Sequence, residues 1–165
     1  MSVFTSAEIN RFCEVADDGE HLVSKIILIF ALAGGCKVEE LANLTIEDVE
    51  DCDDALLVRL PQGKTGIERN FVITGNYYRI CKKYVDVRID FQQNDRFFLK
   101  MCMGKCVNKP LGINKIGGIP QEIAIFLELP NPESYTKRSF RKTSATLFAN
   151  FTKNTTALKV HLGYK

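Results

Sequence analysis

The chain has 165 residues, 45% of them apolar and 25% charged, which is the composition of a globular domain rather than of a disordered chain. Its longest apolar run, residues 26–33, is much shorter than the about 20 residues that a helix needs to cross a bilayer, and no signal peptide opens the chain. We therefore expect a soluble intracellular protein with no membrane partner, in which the six scattered cysteines stay reduced.

The first third of the chain is predicted to be helical. Thr5 and Glu8 have the spacing of a capping box, which opens a helix that runs to about residue 17. A second helix, residues 20–33, is apolar nearly all round, so it should be the buried centre of the fold. A short amphipathic helix is predicted over residues 38–44.

The sequence period then changes to that of strands. Residues 55–60 and 69–73, separated by a Gly-rich turn, predict a β-hairpin, and residues 96–102 are a candidate third strand. The rest is predicted to be helical at residues 76–87, 120–127, 137–151 and 155–161, with a loop at 114–118. The fold class is therefore α+β and mainly α, with a small antiparallel sheet, in one domain over residues 1–165.

Charge is divided unevenly along the chain. Residues 1–54 hold 13 acids and 3 bases, a balance of −10, whereas residues 55–165 hold 19 bases and 7 acids, a balance of +12. The two parts sum to the net charge of +2. The division predicts one acidic and one basic face, which suits either a solubilised surface or a nucleic-acid footprint.

No metal or cofactor is expected. Cys102 and Cys106 are the close cysteine pair, and a zinc site would have to add ligands such as His21 and His161 from distant positions. The acidic stretch of residues 47–54 lacks the calcium-loop pattern and is interpreted as a solvated turn. No glycine pair has the spacing of a phosphate-binding loop.

The most informative motifs lie in four segments. Residues 35–45 read Gly-Cys-Lys-Val-Glu-Glu-Leu-Ala-Asn-Leu-Thr, and the predicted hairpin turn contains Gly-Lys-Thr-Gly at residues 63–66. Residues 135–150 begin Tyr-Thr-Lys-Arg-Ser-Phe-Arg-Lys, and residues 155–165 end on Leu-Gly-Tyr-Lys. In this order, the segments resemble the catalytic domain of the tyrosine recombinases (the phage integrase family) over about residues 20–165. They look closest to the versions in eukaryotic mobile elements of the Crypton type and in host genes derived from them.

The resemblance implies a defined chemistry. In that family a tyrosine attacks a phosphodiester, which gives a 3′-phosphotyrosyl link and a free 5′-hydroxyl. Two arginines hold the non-bridging oxygens as bidentate forks, a lysine protonates the leaving oxygen, and two His or Trp positions assist proton transfer. The resemblance also implies a helical recombinase core around the small sheet.

The matched positions are only partly those of the family. Arg141 falls on the second arginine and Lys64 on the hairpin lysine, but Lys37 replaces the first arginine. Arg138 replaces the first histidine, and Tyr164 stands at the His or Trp corner. The nucleophilic tyrosine is expected about one helix further on, beyond this chain.

Because three of the five alignable positions are changed, we expect no catalytic residue and no enzyme. The hypothesis is a catalytically inactive recombinase-like domain that serves as a nuclear DNA- or chromatin-associated binding module. Contacts with DNA should go mainly to phosphates and use the basic part of the chain. The residues expected to make them are Lys37, Lys64, Arg138, Arg141, Lys142, Lys159 and His161.

Two other functions stay open at this point. One is a protein-interaction or dimerisation scaffold that does not bind DNA, with a partner or a second copy docking at the C-terminal end near Leu158 and Leu162. The other is an active site-specific recombinase with its tyrosine further along. The candidate cations also have a purely structural interpretation, as charges on solvated helix ends and turns.

Overall fold

A computed structural model of the chain describes residues 1–61 and 68–152, with side chains up to residue 147. This part is mainly helical and contains two small antiparallel sheets. The helices are α1 (Ser6–Val15), α2 (Asp18–Gly34), α3 (Val38–Asn43), α4 (Gly75–Ile89), α5 (Ile113–Gly117), α6 (Ile119–Phe126) and α7 (Ser139–Thr152). The strands are β1 (Val49–Asp51), β2 (Ala55–Leu60), β3 (Arg69–Thr74), β4 (Leu99–Cys102) and β5 (Lys105–Pro110). Within the described ranges, no helix is both long and apolar enough to cross a membrane.

Helix α2 is the centre of the fold, as its apolar sequence predicted. All of residues 24–31 are buried, so the helix has core on every side. The Asp17 carboxylate caps its first turn by accepting a hydrogen bond from the Glu20 amide at 3.1 Å. Gly35 ends it in the left-handed conformation at φ 58°, which glycine adopts without steric cost.

The predicted hairpin is present, but its third strand is not the predicted one. Strands β2 and β3 pair in antiparallel register from Ala55↔Thr74 to Leu60↔Arg69. Strand β1 pairs on the other side of β2, in the acidic stretch that we had interpreted as a solvated turn. The candidate third strand at residues 96–102 instead pairs with β5 in a separate two-stranded sheet.

Two further elements were missed. Strand β5 is rich in Lys, Asn and Pro, which have poor strand propensity, so the sequence pattern did not indicate a strand. The loop predicted at residues 114–118 is wrong, because Ile113–Gly117 forms α5 and packs against α3. Ile116 is fully buried there, and tertiary burial of this kind stabilises helices too short to form alone.

Helix α7 packs against α2 through buried polar contacts. The Ser144 hydroxyl donates to the Leu32 carbonyl at 2.8 Å, and Phe140 and Thr143 are buried beside it. The Thr143 hydroxyl accepts a hydrogen bond at 3.0 Å from the Phe4 amide. The helix predicted at residues 155–161 lies outside the described residues. One side of α7 is therefore fixed in the core, which leaves its other side for the surface.

Helix α4 ends on a fully buried cation. Arg88 has no exposed surface, and its guanidinium donates to the backbone carbonyls of Phe91, Asn94, Arg96 and Phe97. Carbonyl dipoles around a guanidinium satisfy its donors and offset part of the cost of burying its charge. Arg88 thus holds the connection between α4 and β4 as part of the scaffold.

Candidate nucleic-acid interface

One wall of the candidate site is the tight corner between α2 and α3. Gly35 and Cys36 make the turn, and the exposed Lys37 stands at the N-cap of α3. The Lys37 amide donates to Glu40 Oε1 at 2.8 Å, which satisfies one of the free amides at the start of the helix. The backbone of Lys37 is thus fixed while its ammonium group reaches solvent.

The opposite wall is the start of α7. The Arg138 carbonyl accepts from the Lys142 amide at 3.0 Å, so Arg138 directly precedes α7 and accepts a hydrogen bond from its first turn. The Ser139 hydroxyl accepts from the Thr136 amide at 2.8 Å and secures the chain as it enters the helix. Because Arg141 is three residues after Arg138, the two guanidinium groups are on the same side of α7.

These two walls enclose a cleft of about 460 Å³. The cleft is lined by five cationic side chains, Lys37, Lys137, Arg138, Arg141 and Lys142. Glu39 is the one acidic side chain among its described lining residues. No ion pair between described residues uses Lys37, Arg138 or Lys142. Such a surface attracts an anion with several charges.

The structure brings together three of the predicted site residues from distant segments. Lys37, Arg138 and Arg141 line one cleft although about 100 residues separate the first from the other two. Lys142, predicted to contact DNA, lies on the same cleft. The remaining predicted site residues, Lys64, Lys159, His161 and Tyr164, lie outside the described residues. Their roles stay predictions, as does DNA contact by the residues of the cleft.

A buried layer beneath the cleft was not foreseen. Burial, with a smaller effect of Glu40, raises the pKa of the Cys36 thiol far above its ordinary value, although Arg69 and Arg141 act in the opposite direction. Cys36 therefore stays a neutral thiol and is not a nucleophile. Arg69 donates to Glu40 Oε1 at 3.0 Å, so an ion pair between β3 and α3 supports this wall of the cleft. The sequence offered no signal for this pairing, because Arg69 and Glu40 belong to different elements.

The two cysteines considered for a zinc site differ in burial and do not pair with each other in the sheet. Cys106 is buried and Cys102 is exposed. A group that we had not considered, Asp17, Glu20 and His21, has its ligand atoms within 4.8 Å of one another. Asp17 already caps α2, and exposed carboxylates of this kind commonly lie close together without an ion.

Comparison with protein-family models matches residues 2–165 to the phage integrase family. The chain belongs to this family. Among solved structures it is similar to the XerA recombinase, with a TM-score of 0.79 and 18% identity over 99% of this chain and 56% of that one. It is also similar to the lambda integrase catalytic core, with a TM-score of 0.69 and 15% identity over 99% and 91% of the two chains. No curated protein sequence matches it.

A third similar structure is the XerH site-specific recombinase bound to difH substrate in a pre-cleavage complex, with a TM-score of 0.75. Its identity is 16%, over 99% of this chain and 47% of that one. The chain thus spans about half the length of the XerA and XerH chains. At these identities the likeness shows the fold, and it confirms the predicted recombinase-like helical core with small antiparallel sheets.

The family assignment corrects one prediction. We expected the domain not to be an enzyme, because three of the five alignable positions differ from the family pattern. That prediction is wrong: the family is one of enzymes, and the solved structures that the chain resembles are recombinases and integrases. The prediction inferred inactivity from residue changes alone, and the family match does not support that inference. The cleft holds five cationic side chains, with Lys37 and Arg138 at two of the changed positions.

Proposed function

We propose that residues 1–165 act as one recombinase domain that binds duplex DNA by its phosphates in the cleft and takes part in phosphodiester cleavage and strand exchange. The observation that carries this proposal is the convergence of five cationic side chains from the α2–α3 corner and α7, against one acidic side chain. A DNA duplex carries about one negative charge per 1.7 Å of its axis, so it matches such a surface.

The geometry of α7 suits phosphate recognition in two ways. Arg138 and Arg141 lie one turn apart, and a guanidinium can hold two phosphate oxygens at once. The first turn of a helix also presents free amides and the positive end of the helix dipole to an anion. Lys37 faces them from the other wall, where it would act as a point charge without the planar fork.

Two similar proteins have been solved with DNA, which supports DNA as the partner. One is the XerH recombinase with its difH substrate, and the other is a lambda integrase dimer bound to a COC′ core site. Strand cleavage by this chain would use the cleft to stabilise charge on the phosphate as the bond breaks. Cations placed where charge develops typically contribute on the order of 10²–10³ in rate each.

The first test is salt-dependent binding. We expect fluorescence anisotropy with a labelled duplex of about 30 base pairs to show binding at 50 mM salt, with affinity falling linearly in log–log form as salt rises. A slope corresponding to about three to five phosphate contacts would match the cleft. No binding at 50 mM salt would contradict the proposal and favour the protein-interaction scaffold.

The second test addresses strand cleavage. A pool of nicked duplexes with randomised sequence is incubated with the full-length protein, which includes the segment after residue 165 that is expected to carry the nucleophilic tyrosine, and the products are separated on a denaturing gel. We expect a covalent protein–DNA band, and peptide mapping of that band identifies the linked residue. Binding without any covalent band would leave DNA binding standing and contradict the strand-exchange part of the proposal.

The origin and location of the protein stay predictions. The C-terminal motif looks closest to eukaryotic mobile elements and genes derived from them, and on that basis we propose a nuclear protein. A fluorescent fusion of the protein that is excluded from the nucleus would contradict this. Self-association through Leu158 and Leu162 is likewise a prediction, since both residues lie outside the described part of the chain, and the solution mass tests it.

A further inference from the structure

Arg69 on β3 contacts both sides of the corner that carries Lys37. Its Nη2 atom donates to the Gly34 carbonyl at 3.2 Å and to Glu40 Oε1 at 3.0 Å. The same Glu40 oxygen accepts from the Lys37 amide at 2.8 Å. One guanidinium thus bridges the last residue of α2 and the first turn of α3.

We infer that Arg69 is a positioning residue, which sets the place of Lys37 in the cleft by acting through Glu40. This inference rests on the proposed function, because it gives Arg69 its effect through a phosphate contact made by Lys37. The Arg69 guanidinium is directed at Gly34 and Glu40 and its side chain is only 10% exposed, so Arg69 is placed to act on Lys37 through Glu40.

Burial makes this link rigid. The Arg69 side chain is 10% exposed and that of Glu40 is 22% exposed, so solvent screens their attraction weakly. Charged hydrogen bonds in such surroundings are short and directional, and they hold their partners more firmly than neutral ones. The Glu40 carboxylate is thereby kept in the position where it receives the Lys37 amide.

The strand that supplies Arg69 is itself fixed against the same corner. A Cβ atom on Gly34 would lie 2.4 Å from the ring of Phe71, so this β3 side chain packs directly against the backbone of Gly34. Phe71 is two residues from Arg69 and therefore on the same face of β3. The hairpin and the corner thus form one unit, and a shift of β3 would move Lys37.

The test compares Arg69→Gln with Arg96→Gln in the full chain. Arg96 is the matched control, because it donates to the Ala42 carbonyl at 2.9 Å and holds the other end of α3 without touching the corner. We expect Arg69→Gln to raise hydrogen exchange of the Lys37 amide at least about tenfold, a loss of local protection, relative to Arg96→Gln. Arg69→Lys should recover part of the protection, because an ammonium group can still reach one acceptor.

DNA binding supplies the second readout. Losing one phosphate contact lowers the salt slope by about 0.9, so we expect Arg69→Gln and Lys37→Gln to lower it equally. Arg69→Gln should have no further effect in the Lys37→Gln background, because the two residues act in series. Additive losses in the double variant would overturn the inference, as would unchanged exchange of the Lys37 amide. If the wild-type chain binds no DNA, the proposed function fails, while the exchange measurement still decides whether Arg69 holds Lys37.

Discussion

The cleft beside α7 and a second groove beside the start of α2 have similar volumes, about 460 and 490 Å³. Their charges differ. The cleft has five cationic side chains and one acidic one, whereas the second groove has three of each, Lys100, Lys109, Lys115, Asp18, Glu20 and Glu122. A polyanion responds to net charge rather than to concavity, so of these two grooves the cleft is the one whose charge suits DNA.

Two of the three acids of the second groove are also engaged within the protein. Asp18 bonds to Lys25 at 2.9 Å and to Lys83 at 2.8 Å, and Glu122 accepts from the Ser24 hydroxyl at 2.5 Å. These contacts join α2 to α4 and α6, so they serve the scaffold. The comparison teaches that acids which serve the scaffold still cancel the positive charge of a groove, whereas the cleft keeps an excess of cations that can face a ligand.

Reversing the charge of two cations in the cleft is expected to have the largest effect on DNA affinity, and the same change in the second groove is the control. Arg138→Glu with Arg141→Glu should weaken binding to a duplex by about 100-fold or more at 50 mM salt, because two phosphate contacts become repulsive. Lys109→Glu with Lys115→Glu changes the charge of the second groove by the same amount, and this variant should weaken DNA binding by less than about threefold. Fluorescence anisotropy measures both. Equal losses would show that binding follows overall charge and not the cleft.

Lys37→Arg tests whether the geometry of a cation in the cleft matters in addition to its charge. It keeps the charge and adds a planar fork, so it separates charge from geometry. In the full-length protein, which includes the segment expected to carry the nucleophilic tyrosine, we expect covalent complex formation on nicked duplexes to rise by about tenfold, a part of what one such donor contributes to rate. DNA affinity should change by less than about threefold, because the number of charges is the same. An unchanged or lower cleavage rate would show that the lysine is already the better group in this cleft.

Glu20→Lys makes the second groove resemble the cleft. Glu20 is 80% exposed, so its replacement should leave the fold intact. The groove would then hold four cations and two acids, and nonspecific DNA affinity at 50 mM salt should rise by about threefold. Circular dichroism provides the check on folding. A gain of more than tenfold would contradict the comparison, because one charge in the second groove would then contribute to DNA affinity on the scale expected of the cleft.

The smallest effect concerns acid stability. A hydrogen bond from Lys83, aided by Lys25 and opposed by burial, holds the pKa of Asp18 below its ordinary value of 3.8. A lowered carboxyl pKa in the folded state stabilises the protein above pH 3.8, and that stability is lost as pH falls through the folded value. Asp18→Asn should therefore cost about 0.5 kcal/mol at pH 6 and less at pH 3, measured by urea unfolding. A constant difference between the two pH values would contradict this.

Much of the fold could be predicted from the sequence, because caps and periodicity are local. The capping box at Thr5 and Glu8 forms as expected, and α2 and the β2–β3 hairpin lie within about two residues of their predicted bounds. In contrast, β1, β5 and α5 are three to six residues long, and each depends on a partner from elsewhere in the chain. Strand β1 and helix α5 are too short to have much propensity signal of their own, and the Lys, Asn and Pro residues of β5 have poor strand propensity.

The candidate site was predictable only in part, for a related reason. Motif order placed Lys37, Arg138 and Arg141 together, since order along a known fold fixes position. The link from Arg69 to Glu40 could not be predicted, because it depends on the contact between β3 and α3. Arg88 looks in the sequence like any surface cation of a helix, yet it is fully buried among carbonyl groups.

The contact between the first residues and α7 has a consequence for the order of folding. The Ser2 amide donates to the Ser134 carbonyl at 2.9 Å, and the Phe4 amide donates to the Thr143 hydroxyl at 3.0 Å, across 132 and 139 residues of chain. Contacts of such sequence separation form late, because the entropy of closing a long loop must be overcome first. During synthesis, α1 and α2 are made long before α7 can join them. We therefore expect the cleft to be among the last parts to assemble, so that a partly made chain presents the acidic segment without Arg138 and Arg141.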